Sequence, residues 1–147
     1  MKRLEFKTQI GASKKKVWDT MLHPEKYKQW VNVSWPGSYY EGTWAKGENL
    51  KFISPGQGGT LANLVEQKPY EDILAKQVAV INADGSEDRD SDVAKGWIGT
   101  TERYTFKEKN GKTELTVEIN TPPAWAVMFE DGWPAALAKL KELCESN

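Results

Sequence analysis

Histidine and cysteine are almost absent from this chain, with one of each, His23 and Cys144, in 147 residues. A lone cysteine excludes an internal disulfide and a cysteine-built metal site. A lone histidine leaves serine or cysteine hydrolase chemistry without its usual base, and His23 lies between two helical patterns, where a capping or surface role fits better. Zinc would have only carboxylates to bind it. Net charge is missing too: 20 basic against 21 acidic residues leave −1, with a pI near 5.9, so no long-range field draws nucleic acid or an anionic membrane. No apolar run approaches the ~20 residues that span a bilayer. The charged start leads straight into a strand pattern without an apolar signal segment, and a cytoplasmic location is the expectation.

Other familiar devices are incomplete. The loop Asp84 to Asp92 is rich in oxygen ligands and begins like a calcium loop at Asp88, Asp90 and Asp92. Val93 then stands where that loop needs glycine and Gly99 where it needs a bidentate glutamate, so we read a solvated acidic loop. The glycines of 55–59 lack the Lys-Ser/Thr ending of a phosphate loop and lead into a strand, which makes them a hairpin connection. Lys14-Lys15-Lys16 opens a helix, where the helix dipole disfavours cations; we read a solvated face, with a contact for an acidic partner as the alternative. No metal and no cofactor is expected.

The residues present, 39% hydrophobic and 28% charged, suit one globular domain over 1–147. Glu5 to Ile10 alternates as a strand. Ser13 can cap a helix carrying Val17, Trp18, Met21 and Leu22 on one face. His23-Pro24 is then a joint, because Pro24 disfavours helix at His23 yet suits a first helical position, and Tyr27 and Trp30 share the face of a second helix. Aromatic and β-branched runs follow, cut by Gly, Pro and Asn, and predict strands near 38–45, 49–54, 60–68, 72–82, 97–108 and 112–120. Asn110-Gly111 is the clearest hairpin signal. At the end, Trp133, Ala136, Leu137, Leu140, Leu143 and Cys144 form one apolar helical stripe. Upstream, Thr121 can cap a turn at Pro122-Pro123, with Trp125, Met128 and Phe129 continuing the stripe. Pro134 inside it predicts either a kink at 132–134 or a fresh helix capped by Asp131, and makes the segment before it a candidate lid.

Strand, capped helix, His-Pro joint and second helix, in that order, resemble the opening of the SRPBCC superfamily of START-like, helix-grip domains. The nearest branch is the activator of heat-shock protein 90 ATPase homologue family. Gly42-Thr43-Trp44, Gly58-Gly59-Thr60, the run Val65 to Pro69, the return Gly111 to Val117 and the closing Gly132 to Leu140 extend the likeness over nearly the whole chain. Pro134 and the long loop Ala83–Lys95 depart from the family pattern. The resemblance implies an α+β helix-grip fold: a seven-stranded curved antiparallel sheet wrapped on a long C-terminal helix, two short helices after the first strand, and a cavity between sheet and long helix.

Alternation then decides which residues face that cavity. If Tyr104 and Phe106 point inward, so do Glu102, Thr100 and Ile98. A carboxyl in an apolar cavity has a raised pKa and can act as acid, base or ligand anchor. The alternatives are a bulge at Gly99, or a place for Glu102 at the cavity mouth beside a lysine. Seven tryptophans suit an apolar site with a wet rim. Trp18, Trp30 and Trp133 lie on helix stripes that favour the core. Trp44, Trp97, Trp125 and Phe129 come from strand ends and the candidate lid. The candidate ligand-binding set is Trp44, Phe52, Trp97, Glu102, Tyr104, Trp125, Phe129 and Trp133, with Glu102 the one catalytic candidate. We expect binding of a small apolar or amphipathic molecule. A co-chaperone-like protein contact with an ATPase and a cyclase or dehydratase using Glu102 are the alternatives; the latter lacks a convergent polar set, so binding ranks above catalysis.

Overall fold

The computed structural model describes residues 1–56 and 58–146. The chain opens with β1 (Lys2–Ile10), α1 (Lys14–Leu22) and α2 (Pro24–Asn32). Ser13 caps α1, its hydroxyl accepting from the Lys16 amide at 3.2 Å. His23 ends α1 and caps α2, its Nδ1 accepting from the Glu25 amide at 3.2 Å while Pro24 takes the first helical position. The lone histidine is therefore spent on a helix joint. The lysines after Ser13 are engaged within the chain: Lys14 reaches Glu71, Lys15 pairs with Asp19, and Lys16 donates to the Ser146 carbonyl.

The strands that follow are β2 (Tyr39–Gly42), β3 (Asn49–Ser54), β4 (Gly58–Lys68), β5 (Asp72–Ile81), β6 (Glu87–Asp88), β7 (Thr101–Lys109) and β8 (Lys112–Thr121). Six of them join β1 in one antiparallel path in the order β1-β8-β7-β5-β4-β3-β2, and the two-residue β6 pairs with β5 beside it. Asn110 and Gly111 have φ of 56° and 77°, the pair of positive values that a tight two-residue hairpin requires. Across that hairpin Phe106 faces Leu115, Tyr104 faces Val117 and Glu102 faces Ile119. Two register shifts in the β4–β5 pair, at Leu61/Ala62 and Leu64/Glu66, bend the sheet. The last helix, α4 (Pro123–Glu145), buries Phe129, Trp133, Leu137 and Leu140 in the concavity, which is the helix-grip arrangement.

Five expectations need correction. Residues 97–100 are not strand: Asp92–Trp97 forms a short helix, α3, and β7 begins only at Thr101. The Ser91 hydroxyl accepts from the Ala94 amide to cap α3, the Asp88 carboxylate holds the preceding turn through the Asp90 and Ser91 amides, and Gly99 at φ 97° redirects the chain into β7. The first meander strand stops at Gly42, so Trp44 lies outside it. Thr121 ends β8 and does not cap α4; its hydroxyl donates to the Pro122 carbonyl. Pro134 does not divide the last helix, which runs through it without a fresh cap at Asp131. A carbonyl near the proline gains an outside donor instead, because Ser34 Oγ donates to Gly132 O at 2.5 Å. The connection read at 55–59 is shorter, since Gly58 and Gly59 already pair with Ser54 and Ile53 as the start of β4, and Gln57 within it lies outside the described residues. Among those described, no helix is long and apolar enough to cross a membrane.

Candidate functional site

Between the concave sheet and the first half of α4 lies a cavity of about 320 Å³. Its floor follows from strand alternation on β7. Tyr104 is buried, and Glu102, two residues earlier, shares its face, between Ala75 of β5 and Ile119 of β8, both buried. The helices supply the rest: Tyr27 and Trp30 from α2, Trp97 from α3, and Trp125, Phe129 and Trp133 from α4. Val93 of α3 and Met128 of α4 line the cavity and are also exposed, so they stand at its mouth.

Ring contacts make this wall continuous. Tyr104 lies 5.9 Å from Trp133 between centroids, Trp133 lies 5.7 Å from Trp30, and Trp30 lies 5.1 Å from Tyr27. On the mouth side Trp97 stacks on Phe129 at 6.0 Å and meets Trp125 edge-on at 5.3 Å. The geometry therefore assembles Phe52, Trp97, Glu102, Tyr104, Trp125, Phe129 and Trp133 around one space. Trp44 is not among them. It packs on the far side of Phe52 at 5.9 Å and on Tyr40 at 5.5 Å, anchored where Gln67 donates to its carbonyl. Trp30 and Trp133 combine two roles that the sequence sets apart, since each is buried in the core and borders the cavity.

Two cavity residues escape a reading of the sequence for chemistry. Tyr27 looks like helix packing beside Trp30. Gln77 lies on a strand whose alternation, Ile73, Ala75, Gln77, points it inward, and that period was the available signal.

Glu102 dominates the electrostatics. Tyr104 donates its hydroxyl to Glu102 Oε2 at 2.5 Å. Burial raises the carboxyl pKa, and this hydrogen bond, which favours the charged form, opposes the rise. Among the described residues no lysine or arginine lines the cavity with it, and Glu102 stays in register opposite Ile119, so neither a lysine at the mouth nor a bulge that turns Glu102 outward describes this residue. The phenols answer in kind: burial and the nearby Glu102 charge push both Tyr27 and Tyr104 upward. Among the described residues no group of three His, Cys, Asp or Glu side chains converges as a metal site.

A pH signature follows. A carboxyl whose pKa rises on folding binds more protons in the native than in the unfolded state, so stability falls as pH increases from the ordinary carboxylate value of about 4.3 upward. The loss is about 1.4 kcal/mol for each unit of upward shift. Glu102→Gln keeps an acceptor for Tyr104 and removes the titration. Urea denaturation at several pH values should show this variant losing less stability than the parent between acid and neutral pH, and parallel curves would contradict the assignment.

The Activator of Hsp90 ATPase homolog 1-like family model matches residues 11–145. A search of curated proteins finds no significant match. Many solved structures share the fold. A protein from Mesorhizobium loti superposes with a TM-score of 0.74 at 14% identity, covering 97% of this chain and 96% of that one. The Aha1 dimer from Colwellia psychrerythraea gives 0.74 at 16%, covering 99% and 97%. A protein from Chromobacterium violaceum gives 0.73 at 17%, covering 99% and 98%. At such identities the likeness establishes the fold alone.

Proposed function

This chain belongs to the Activator of Hsp90 ATPase homolog 1-like family, and from that premise and the lined cavity we propose that it binds a small, largely apolar molecule between its sheet and α4. The observation that carries the reading is a cavity of about 320 Å³ walled by aromatic rings, with one carboxyl at its floor. That volume lies at the lower end of ordinary ligand sites, roughly 300–1,000 Å³, and is about twice that of an apolar cavity that accepts benzene. It suits a ligand of two fused rings or similar bulk. A largely apolar, ring-rich wall with polar groups such as Ser38, Thr60, Gln77 and Glu102 set into it is the composition of a binding pocket, in which polar atoms orient what apolar surface holds.

Catalysis would need a second polar group acting with Glu102 on the same substrate atoms, and its hydrogen-bond partner, Tyr104, is a phenol pushed well above its ordinary range. Binding is the better supported role.

The test uses the tryptophans in the wall. Naphthalene derivatives should quench or shift the emission of Trp97 and Trp125 and raise the Tm, the added stability growing with the logarithm of ligand concentration and reaching about 2.7 kcal/mol at a hundredfold excess over Kd. Val80 also borders the cavity, and Val80→Phe should fill part of it and weaken binding at least about tenfold, a loss of about 1.4 kcal/mol. Equal affinity in a folded Val80→Phe variant would place the ligand elsewhere.

A further inference from the structure

The cavity wall has one sign of charge. Among the described residues its lining contains Glu102 and no lysine, arginine or histidine. The neighbouring charge on β7 is balanced: Arg103, the next residue, faces the other way and is held by Asp72 through two hydrogen bonds of 3.0 and 2.8 Å. Glu102 is given a phenol and no cation. A carboxylate taken from water without a counter-charge is costly, and a ligand that brings the charge recovers the difference.

The rings around it favour the same ligand. Tyr27, Trp30, Trp133 and Tyr104 follow one another in ring contact and, like Glu102, line the cavity. Aromatic faces attract an ammonium, most strongly where water is excluded. A second acceptor in the wall also lacks a donor: Gln77 is 2% exposed, and its Oε1 has no hydrogen-bond partner among the described residues. Two indole N–H groups, of Trp97 and Trp133, lack acceptors there as well. Those are neutral donors, and leaving one unpaired costs less than leaving a charge unpaired, so the carboxyl decides the sign of the ligand.

We propose that the cavity selects a protonated amine carried on a small aromatic or alicyclic frame, with the ammonium paired to the Glu102 carboxylate among the rings of Tyr27, Trp30, Tyr104 and Trp133. This rests on the binding function proposed above and names its ligand class. Carboxylates and phosphates of the same bulk are excluded by repulsion from Glu102 without any cation in the wall to offset it. Tyr104 is a positioning residue, since its hydrogen bond fixes Oε2 and leaves Oε1 for the ligand.

Three probes of nearly equal shape test the proposal by calorimetry near neutral pH: naphthylmethylamine, naphthylmethanol and naphthoate. The amine should bind at least about tenfold tighter than the alcohol, as a desolvated ammonium among aromatic rings and opposite a carboxylate requires, and naphthoate should bind weakest. In Glu102→Gln the amine should lose its advantage over the alcohol, and a cooperative thermal melt reports that the variant is folded. If the alcohol binds and the amine shows no preference, or if the preference survives in Glu102→Gln, the amine assignment is overturned and the binding function stands. If none of the three binds, both fall.

Discussion

Gly59→Ala should unfold the protein or come close to it, whereas Gly96→Ala should stabilise it by about 0.5–1 kcal/mol. The two glycines contrast because of what a Cβ would meet. At Gly59 it would sit 1.9 Å from the Phe52 carbonyl oxygen and 3.0 Å from the Ile53 Cα, both backbone atoms of the neighbouring strand. No rotamer change relieves that overlap, so β3 and β4 must separate where Ile53 pairs with Gly59. Overpacking against side chains costs roughly 1–3 kcal/mol, and a clash between two paired backbones belongs at or above the top of that range. The separation would also displace Phe52, Ile53 and Ser54 from the cavity wall, so ligand binding should be lost with stability. Gly96 is exposed in α3 with nothing within 4 Å and no positive φ, so alanine there relieves the entropic cost of a helical glycine. Urea midpoints of the two variants measure the contrast. A Gly59→Ala protein as stable as the parent would show that the β3–β4 contact is looser than described.

Periodicity and turn chemistry within a dozen residues disclose the start of the chain and the Asn110-Gly111 hairpin, because there the local preferences and the tertiary structure agree. The inward face of Glu102 was legible for the same reason, as one step of a period of two from Tyr104. Helix α3 was not. Six residues beginning Asp92-Val93 carry too little periodicity to be seen, and the helix is held by the docking of Trp97 on Trp125 and Phe129, contacts made with residues about thirty positions away. Trp97 was thus placed near the cavity from the wrong element. Trp44 failed in the opposite sense: the run 38–45 reads as a single strand, but Gly42, at φ 118°, ends β2 and sends the tryptophan outside the cavity. Pro134 weighed too heavily as a local breaker. In α4 the burial of Trp133, Ala136, Leu137 and Leu140 on both sides of the position outweighs a lost hydrogen bond.

Trp133→Ala should cost about 3–5 kcal/mol, which for a chain of this size lowers Tm by roughly 10–15 °C. Trp133 is 3% exposed and is the ring on which the others converge: Phe6 stacks on it at 6.4 Å, Trp30 and Trp35 lie 5.7 Å away, and Tyr104 5.9 Å. It joins β1, α2 and β7 to α4, so its removal opens space that no single neighbour can fill. Trp35 is confined by its own contact, packed so closely on Gly132 that a Cβ there would lie 2.4 Å from its ring. The indole borders the cavity, and the void left by truncation therefore joins a space that is already open. Added indole should occupy the enlarged site and recover part of the lost stability, rising with the logarithm of its concentration once the site is half filled. The same indole concentrations should stabilise the parent less. Calorimetric melting of both proteins across an indole series measures this. If Trp133→Ala melts within about 3 °C of the parent, a loss of about 1 kcal/mol or less, the ring is not the hub of the core; if it melts low and indole does nothing, the core collapses into the space and the cavity does not extend to Trp133.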